Sequence, residues 1–489
     1  GNCSKRRCAD TGQPLEEEAV RAARLRELEN LKKFSMWRHV PRHEAKGHTL
    51  VRARWTERRK QDGTVRARLV AMEFNTAGAR DDCQAGTPPM AVIRLIVSRA
   101  ASRADRRGLV GTYDIVCAFM HAEMDQTVYV VLPDGLGPPG TVALLLRAMN
   151  GTRRASFLWA EKAAEVVQLG GFRRLKGCAQ AFYNDKMDCL TCIHGDDFVA
   201  EGSSEALDHL DRTLSAGLDV KEKLRIGPGA GTQLRFLNRT VSYVPDVCFE
   251  LAPNNKHIDD VCEALGLDAG HTAVPTPEVK DGGRVLATAH DALKPSEAAL
   301  YASCVGSLMY FCIDRFDAQH GVRELTTSLA APLQIHLLKL KRLAKYLSST
   351  RQLAVCFVLQ EPPRLLLGYG DSDWATCKIT RKSVSAGIIF VGEHPIDWWV
   401  SGQQVIALSS GEAEFYAAGR VAAALLFLVY LCHETGGWAA ELKGKLFSDS
   451  SARRGVLSKI GAGRTRHLQT RLLRKTGKIL PTQVRAAAV

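Results

Sequence analysis

His-Gly-Asp-Asp at residues 194–197 decides the fold of this chain. The tetrapeptide lies between the apolar segments 189–193 and 198–200, a pattern that predicts a strand, a tight turn and a second strand. Adjacent carboxylates such as Asp196 and Asp197 repel each other and resist burial unless a cation lies between them. Two aspartates in a turn are most often only a solvated turn, so the rest of the chain has to decide their function.

A third carboxylate lies upstream. Asp114 ends a β-type segment within residues 111–120, and the aromatic Phe119 follows five residues later. A carboxylate on a strand beside the Asp-Asp turn would complete a two-metal site, which aligns an attacking hydroxyl with a phosphate. Taken alone, Asp114 is also explained as a strand-end cap, and ordinary core is the better explanation of Phe119 on local pattern.

These segments resemble the reverse transcriptase of copia-type LTR retrotransposons. The similar blocks occur in the family's order, at residues 65–71, 87–89, 111–135, 148–159, 194–197 and 236–238. The resemblance implies an α+β fold: a right-hand polymerase with fingers, palm and thumb, followed by an α/β RNase H-like domain.

The resemblance also assigns the polymerase metal ligands. Asp114, Asp196 and Asp197 would hold two Mg²⁺ (or Mn²⁺) ions. Phe119 would be the steric gate, a flat ring that fills the place of a ribose 2′-hydroxyl and so favours deoxynucleotides through shape.

Five further residues would contact the substrate. Arg66 and Arg68 are expected to grip the triphosphate through bidentate contacts. Gly151 and Arg154 belong to the block that touches template and incoming nucleotide in the family. Lys221 resembles a candidate proton donor to the leaving pyrophosphate, although a plain surface lysine explains it equally well.

A second set of acids lies in the C-terminal quarter. By resemblance to the copia-type RNase H, Asp371, Glu414 and Asp449 would be metal ligands there, again with two ions. Glu414 is preferred to Glu412 because Glu-x-x-Ala opens the helix in related enzymes. The family carries a fourth acid late in the chain, and no Asp or Glu follows Asp449, so RNase H activity stays open.

Composition agrees with nucleic-acid partners. The chain has 489 residues, enough for two or three domains, and a formal net charge of +14. The expected partners are an RNA template, a DNA primer, an RNA–DNA hybrid and dNTPs, and dimerisation stays open. The longest apolar run, residues 421–432, is too short to span a bilayer, so no membrane partner is expected.

The cysteines indicate the compartment. The chain has 14 cysteines, and Cys189-x-x-Cys192, within a predicted strand, has no second pair at zinc-site spacing. Buried free thiols are therefore expected rather than a metal framework. Together with the lack of a visible signal peptide, they predict an intracellular protein, in a cytoplasmic particle and/or the nucleus.

The predicted domains follow the blocks. Residues 1–35 form a charged lead-in, 36–245 the reverse transcriptase fingers and palm, 246–360 the thumb and connection with a linker near 276–295, and 361–489 a C-terminally incomplete RNase H-like domain.

Three functions fit this organisation. The first is an RNA-directed DNA polymerase that copies transposon RNA. The second is a catalytically inert relic that keeps the fold and binds nucleic acid. The third is a metal-dependent nuclease that uses only the C-terminal domain.

Overall fold

The structure, a computed structural model, describes residues 7–60, 62–74, 86–267, 270, 272–278, 291–377 and 380–448, and the backbone of 484–488. Within these residues the longer strands form four sheets. The order of helices and strands matches the α+β class that the sequence predicts.

The first sheet has five strands and packs against helix α1 (Glu17–Lys33). In spatial order its strands are β1 (Trp37–Pro41), β6 (Thr141–Leu145), β5 (Val128–Val131), β2 (Thr49–Arg59) and β3 (Val65–Ala71). Buried and more exposed residues alternate along β3, so Val65, Ala67 and Leu69 pack with the apolar residues of α1. Arg66 and Arg68 therefore project from the other face of the strand.

The second sheet is antiparallel and carries the Asp-Asp turn. In spatial order its strands are β11 (Val220–Ile226), β4 (Leu109–Ile115), β10 (Asp197–Gly202), β9 (Cys189–His194), β8 (Ala181–Asn184) and β7 (Arg173–Arg174). Helix α2 (Met90–Ala101) covers one face, and α3 (Ala155–Leu169) and α4 (Ser204–Gly217) cover the other. Because both faces are covered, β9 and β10 are buried almost throughout.

The third sheet takes its last strand from beyond a long excursion of the chain. Its strands are β12 (Gln233–Phe236), β13 (Arg239–Val244), β14 (Cys248–Ala252) and β15 (Val355–Val358). Between β14 and β15 the chain forms helices with a core of their own, here called the helical subdomain: α5 (Lys256–Ala264), α6 (Pro295–Phe311), α7 (Gln319–Thr326) and α8 (Gln334–Ser349).

The fourth sheet is mixed and lies against helix α9 (Ser410–Glu434). Its strands are β18 (His394–Gly402), β17 (Val384–Val391), β16 (Leu365–Ser372), β19 (Lys443–Ser448) and β20 (Val484–Ala488), with β19 and β20 parallel to β16. Glycines let α9 approach β16 closely: a Cβ on Gly368 would lie 2.6 Å from Leu425 Cδ1.

The domain boundaries stay predictions. The boundary at residue 245 falls between β13 and β14, which are neighbours in the third sheet. The predicted lead-in contains α1, whose Arg24 forms an ion pair with Glu57 of β2. In this structure α1 is thus packed against the first sheet.

Two helical segments, Pro295–Asp314 and Ser410–Glu434, are long and apolar enough to cross a membrane by length and composition alone. The most apolar window of each is 33% and 50% buried, respectively, inside the protein. The predicted twelve-residue apolar run thus belongs to a helix of 25 residues. The expectation of no membrane partner stays a prediction.

Candidate active site

The predicted strand–turn–strand at the Asp-Asp motif is present. β9 and β10 pair in a register that places His194 opposite Asp197, which leaves a two-residue loop of Gly195 and Asp196. Gly195 has φ +65°, whereas Asp196 has no positive φ. A positive φ at the first loop position alone is the pattern of a type II′ hairpin turn, which requires glycine there.

The third aspartate meets this hairpin. Asp114, near the end of β4, lies directly opposite Asp197 of β10. The backbone N–H of Ile115 also donates a hydrogen bond to the carbonyl of Asp196, at 3.3 Å. Asp114, Asp196 and Asp197 are therefore brought together at one end of the second sheet.

The charges of these aspartates act on one another. Burial raises the pKa of Asp197 to about 6, and the neighbouring Asp196 and Asp114 add to the rise. Lys221, on β11, partly offsets it and binds Asp114 directly, with Nζ 2.7 Å from Oδ2. Like charges placed directly opposite on neighbouring strands destabilise a sheet, so a cation would relieve this cluster.

The donor set fits a hard divalent cation. All three residues offer carboxylate oxygens, the ligands that Mg²⁺ and Mn²⁺ prefer. Among the described residues, however, their donor atoms do not all lie within 4.8 Å of one another, and Lys221 holds one oxygen of Asp114. A cation at this end of the sheet would therefore need side-chain rotation and would compete with Lys221 for Asp114.

Arg68 of β3 is in electrostatic range of the site. Burial lowers the pKa of its guanidinium, as does the charge of Arg66, whereas Asp196 and Glu27 raise it. The hydrogen bond to Asp114 raises the pKa of Lys221, and the charge of the exposed Arg66 opposes that rise. Arg66 and Arg68, the two predicted triphosphate contacts, thus lie on the same face of β3, and the charge of Asp196 acts on Arg68.

Phe119 follows β4 on a short 3-10 helix, Ala118–His121. The helix starts after Cys117, a non-glycine residue with φ +51°. Phe119 is half-buried and packs against the core that α3 and β4 share. The structure thus places the predicted steric gate directly beyond the strand that bears Asp114.

Trp159 was given no role in the sequence analysis, yet it holds the turn. Its indole Nε1–H donates a hydrogen bond of 2.6 Å to the carbonyl of Gly195. The ring of His121 lies 6.2 Å from the Trp159 ring and 4.7 Å from the Phe34 ring. The one available signal was that Trp159 ends the block at residues 148–159.

Gly151 and Arg154 contribute differently from each other. Gly151 has φ +86°, and a Cβ there would lie 2.0 Å from the carbonyl oxygen of Ala71, at the end of β3. Arg154 forms an ion pair with Asp125, with Nε 3.0 Å from Oδ1. Gly151 therefore allows close approach to β3, and the guanidinium of Arg154 is engaged by a carboxylate of the chain.

The predicted RNase H acids are not all brought together. Glu414, buried on α9, accepts hydrogen bonds from the backbone N–H and hydroxyl of Ser372, at 3.1 and 3.2 Å. Side chains alternate along β16, so the neighbouring Asp371 faces away from α9. Glu412 accepts from the backbone N–H of Leu408 at the start of α9. Asp449 lies outside the described residues.

Asp371 instead lines an aromatic pocket on the opposite face of the fourth sheet. The pocket has a volume of about 450 Å³, and its wall includes Tyr369, Trp398, Phe447 and, from the short 3-10 turn before α7, Phe316. Strand alternation explains this placement, because Gly370 on the other face packs against Val421 of α9. The expected convergence of Asp371 and Glu414 on one metal pair is therefore not present among the described residues.

Known reverse transcriptases and retrotransposon proteins are similar to this chain. The family described as reverse transcriptase (RNA-dependent DNA polymerase) matches residues 35–227. The retrovirus-related Pol polyprotein from transposon RE1 of Arabidopsis thaliana is 26% identical over 79% of this chain, and the match covers 26% of that protein. The Pol polyprotein from transposon TNT 1-94 of Nicotiana tabacum is 25% identical over 86% of this chain and 32% of its own length.

A solved structure supports the fold. The foamy viral protease–reverse transcriptase dRH in complex with double-stranded DNA aligns with 100% of this chain and 72% of its own, at a TM-score of 0.54 and 10% identity. The predicted polymerase fold followed by an RNase H-like domain is confirmed. The chain spans about a quarter to a third of the length of the Pol relatives. This chain is similar to copia-type retrotransposon Pol polyproteins, and its residues 35–227 match the reverse transcriptase family.

Proposed function

We propose that this chain is an RNA-directed DNA polymerase that copies retrotransposon RNA into DNA. The observation that carries the proposal is the register of β4 and β10, which sets Asp114 opposite Asp197 beside the turn that bears Asp196. Three acids from two distant parts of the chain are the arrangement that nucleotidyl transfer requires.

Asp114, Asp196 and Asp197 would hold the cations, Mg²⁺ or Mn²⁺, two per site. When bound, such a pair stabilises the charge on the attacking and leaving oxygens of an in-line displacement. The protein's own contribution is to hold the three carboxylates at the end of a buried antiparallel sheet, whose paired strands keep the backbone rigid. Burial raises the pKa of Asp197, and repulsion from Asp196 and Asp114 adds to the rise, so the carboxylates are held together at a cost in free energy.

The substrate side of the site consists of charge and shape. Arg66 and Arg68 would bind the triphosphate of a dNTP, since guanidinium groups match phosphate oxygens in pairs. Phe119 would press against the sugar and exclude a 2′-hydroxyl. RNA template and DNA primer are the proposed polymer partners. The net charge of +14 supports them, as does the double-stranded DNA bound by the foamy viral neighbour.

Lys221 has two proposed roles at different stages. Before the cations bind, its ammonium neutralises Asp114 at 2.7 Å, and that hydrogen bond raises the pKa of Lys221. Once displaced, the protonated amine is free to donate to the leaving pyrophosphate.

The RNase H-like domain supports a second proposal, that it binds an RNA–DNA hybrid without cleaving it. The observation that favours this is the placement of Asp371 and Glu414 on opposite faces of the fourth sheet. Incubation of the chain with a labelled hybrid and Mg²⁺ should show binding and no cut RNA. Cleavage that Glu414→Gln abolishes would instead establish an RNase H.

Primer extension on an RNA template with Mg²⁺ tests the polymerase. The unmodified chain should extend the primer, and Asp196→Asn should stop extension while binding of the primer–template is retained. Asp246→Asn is the matched control, because Asp246 is exposed in a turn with φ +60°, which asparagine tolerates. Binding without extension by the unmodified chain would establish the inert alternative.

A further inference from the structure

Two thiols and one carboxylate meet on the third sheet, away from the site above. Cys248 and Glu250 come from β14, and Cys356 comes from β15. One donor atom from each lies within 4.8 Å of the donor atoms of the other two. Among the residues that the structure describes, this is the group in which three Cys, His, Asp or Glu donor atoms lie within 4.8 Å of one another.

The sheet itself creates this cluster. Glu250 lies directly opposite Cys356, and Cys248, two residues before Glu250, projects from the same face. The other face of these strands is core, with Phe249 and Phe357 fully buried. Cys248 is buried, Glu250 is half-buried and Cys356 is exposed, so the cluster opens toward solvent on one side.

We propose that Cys248, Glu250 and Cys356 bind one divalent cation of the zinc class. Two thiolates select soft or borderline cations, and the carboxylate keeps a divalent charge balanced. Zinc–sulfur bonds of about 2.3 Å in a tetrahedron put two sulfurs about 3.8 Å apart. Donor atoms already within 4.8 Å reach that geometry by small side-chain rotations. A water would take the fourth position.

The same geometry disfavours a disulfide as the purpose of the two cysteines. Cys248 pairs with Val358, two residues beyond Cys356, so the two cysteines are diagonal neighbours. Diagonal neighbours in an antiparallel pair have Cα atoms about 7–8 Å apart, beyond the range of about 4.4–6.8 Å that a disulfide accepts. A bridging cation spans this gap without moving the strands.

The position gives the site a consequence. β14 is the last strand before the helical subdomain and β15 the first after it, and the fourth sheet begins soon after β15. A cation held by both strands would fix the two ends of that excursion to each other. Because the donors are brought together only by folding, the binding free energy adds to the stability of this junction.

The test uses the full chain, stripped of metal and kept reduced with a phosphine. Addition of Co²⁺ should give one equivalent of tightly bound metal with thiolate-to-cobalt charge-transfer absorption, which Zn²⁺ then displaces. Cys356→Ser, at an exposed position, should abolish that absorption, and Glu250→Gln should weaken binding at least roughly tenfold. Cys377→Ser, a half-exposed cysteine elsewhere, is the matched control and should behave as the unmodified chain.

Thermal unfolding gives a second readout. Zn²⁺ should raise the Tm of the unmodified chain and of Cys377→Ser, and leave Cys356→Ser unchanged. The proposal is overturned if the unmodified chain shows no thiolate–cobalt absorption, or if Cys356→Ser retains it. A chain that binds no metal while reduced, and that forms a Cys248–Cys356 disulfide when the phosphine is removed and air is admitted as the oxidant, would overturn it equally.

Discussion

Asp114 and Asp197 lie directly opposite each other on neighbouring antiparallel strands, although 82 residues lie between them in the sequence. Side chains so placed have Cβ atoms about 4.5–5.5 Å apart, close enough for two carboxylates to repel strongly. Ordinary sheets avoid such pairs. Their presence on a sheet whose strands β9 and β10 are otherwise almost fully buried supports the cation site proposed above.

Phe119→Ala should relax the choice of sugar. Removal of the ring opens the space that the 2′-hydroxyl of a ribonucleotide would need, while the three aspartates stay on their strands. The ratio of kcat/KM for an rNTP to that for the matching dNTP should rise about 10- to 200-fold, the usual worth of a small steric contact. An unchanged ratio would remove Phe119 from the nucleotide site.

Gly151→Ala should destabilise the fold by about 2 kcal/mol or more, because of its strained φ and its clash with Ala71. Gly135→Ala is a matched control, since Gly135 has φ +83° but no heavy atom within 4 Å of the added Cβ. Urea unfolding should show a clearly larger loss for Gly151→Ala. Equal losses would mean that the contact with β3 is unimportant.

His394 makes the junction between the domains sensitive to acid. The ring is fully buried, and its Nδ1 accepts from the hydroxyl of Ser98 at 2.8 Å and from the amide of Gln360 at 3.0 Å. Its Nε2–H donates to the carbonyl of Val358 at 2.7 Å. A second proton on Nδ1 would break two hydrogen bonds, and burial lowers the pKa of His394 to about 4.

Because the pKa of His394 is lowered in the folded state, acid should destabilise the fold. Above about pH 6.5 the ring is neutral in both states, and as the pH falls toward 4 the unfolded chain takes up a proton that the folded chain refuses. The free energy of unfolding should therefore fall over that range, by about 3 kcal/mol at most from this residue. In His394→Gln the loss between pH 6.5 and 4 should be smaller by that amount. An identical pH profile would show that His394 does not titrate as inferred.

Lys221→Ala should lower kcat for nucleotide addition and leave the KM for dNTP nearly unchanged, as expected for a proton donor to the leaving group. The expected loss is about 10²-fold or more. Lys223→Ala is the control on the same strand, because Lys223 contacts Ser215 on α4 instead. Equal small effects of both substitutions would assign Lys221 to the protein surface.

Local patterns were enough to predict the hairpin at residues 194–197. The two apolar segments and the glycine between them define strand, turn and strand within a dozen residues, and the structure has the same elements. The resemblance in block order supplied what local patterns could not, the pairing of Asp114 with a strand far along the chain.

Non-local packing is where the sequence was insufficient. Nothing local in α1 shows that Val20 and Ala23 pack on β3, so the helix was predicted as a charged lead-in. β15 joins the third sheet from across the helical subdomain, and no short-range signal encodes that return. The Cys248 cluster is invisible to spacing rules for the same reason.

The face of Asp371 could have been predicted. Gly368, Gly370 and Ser372 form a small-residue face on β16, which is the face that a helix would approach. Strict alternation then sends Asp371 to the other face. The prediction relied on the motif resemblance and not on this alternation. In the structure, Asp371 lies on the face that the alternation predicts.

The most direct test of the central claim is a double-mutant cycle on single-turnover primer extension with Mg²⁺. Asp114→Asn and Asp197→Asn should each reduce extension to below about one hundredth of the unmodified rate, and the double variant should lose no more than the worse single variant. That result means that the two carboxylates serve one site. Near-normal extension by Asp114→Asn would contradict the claim.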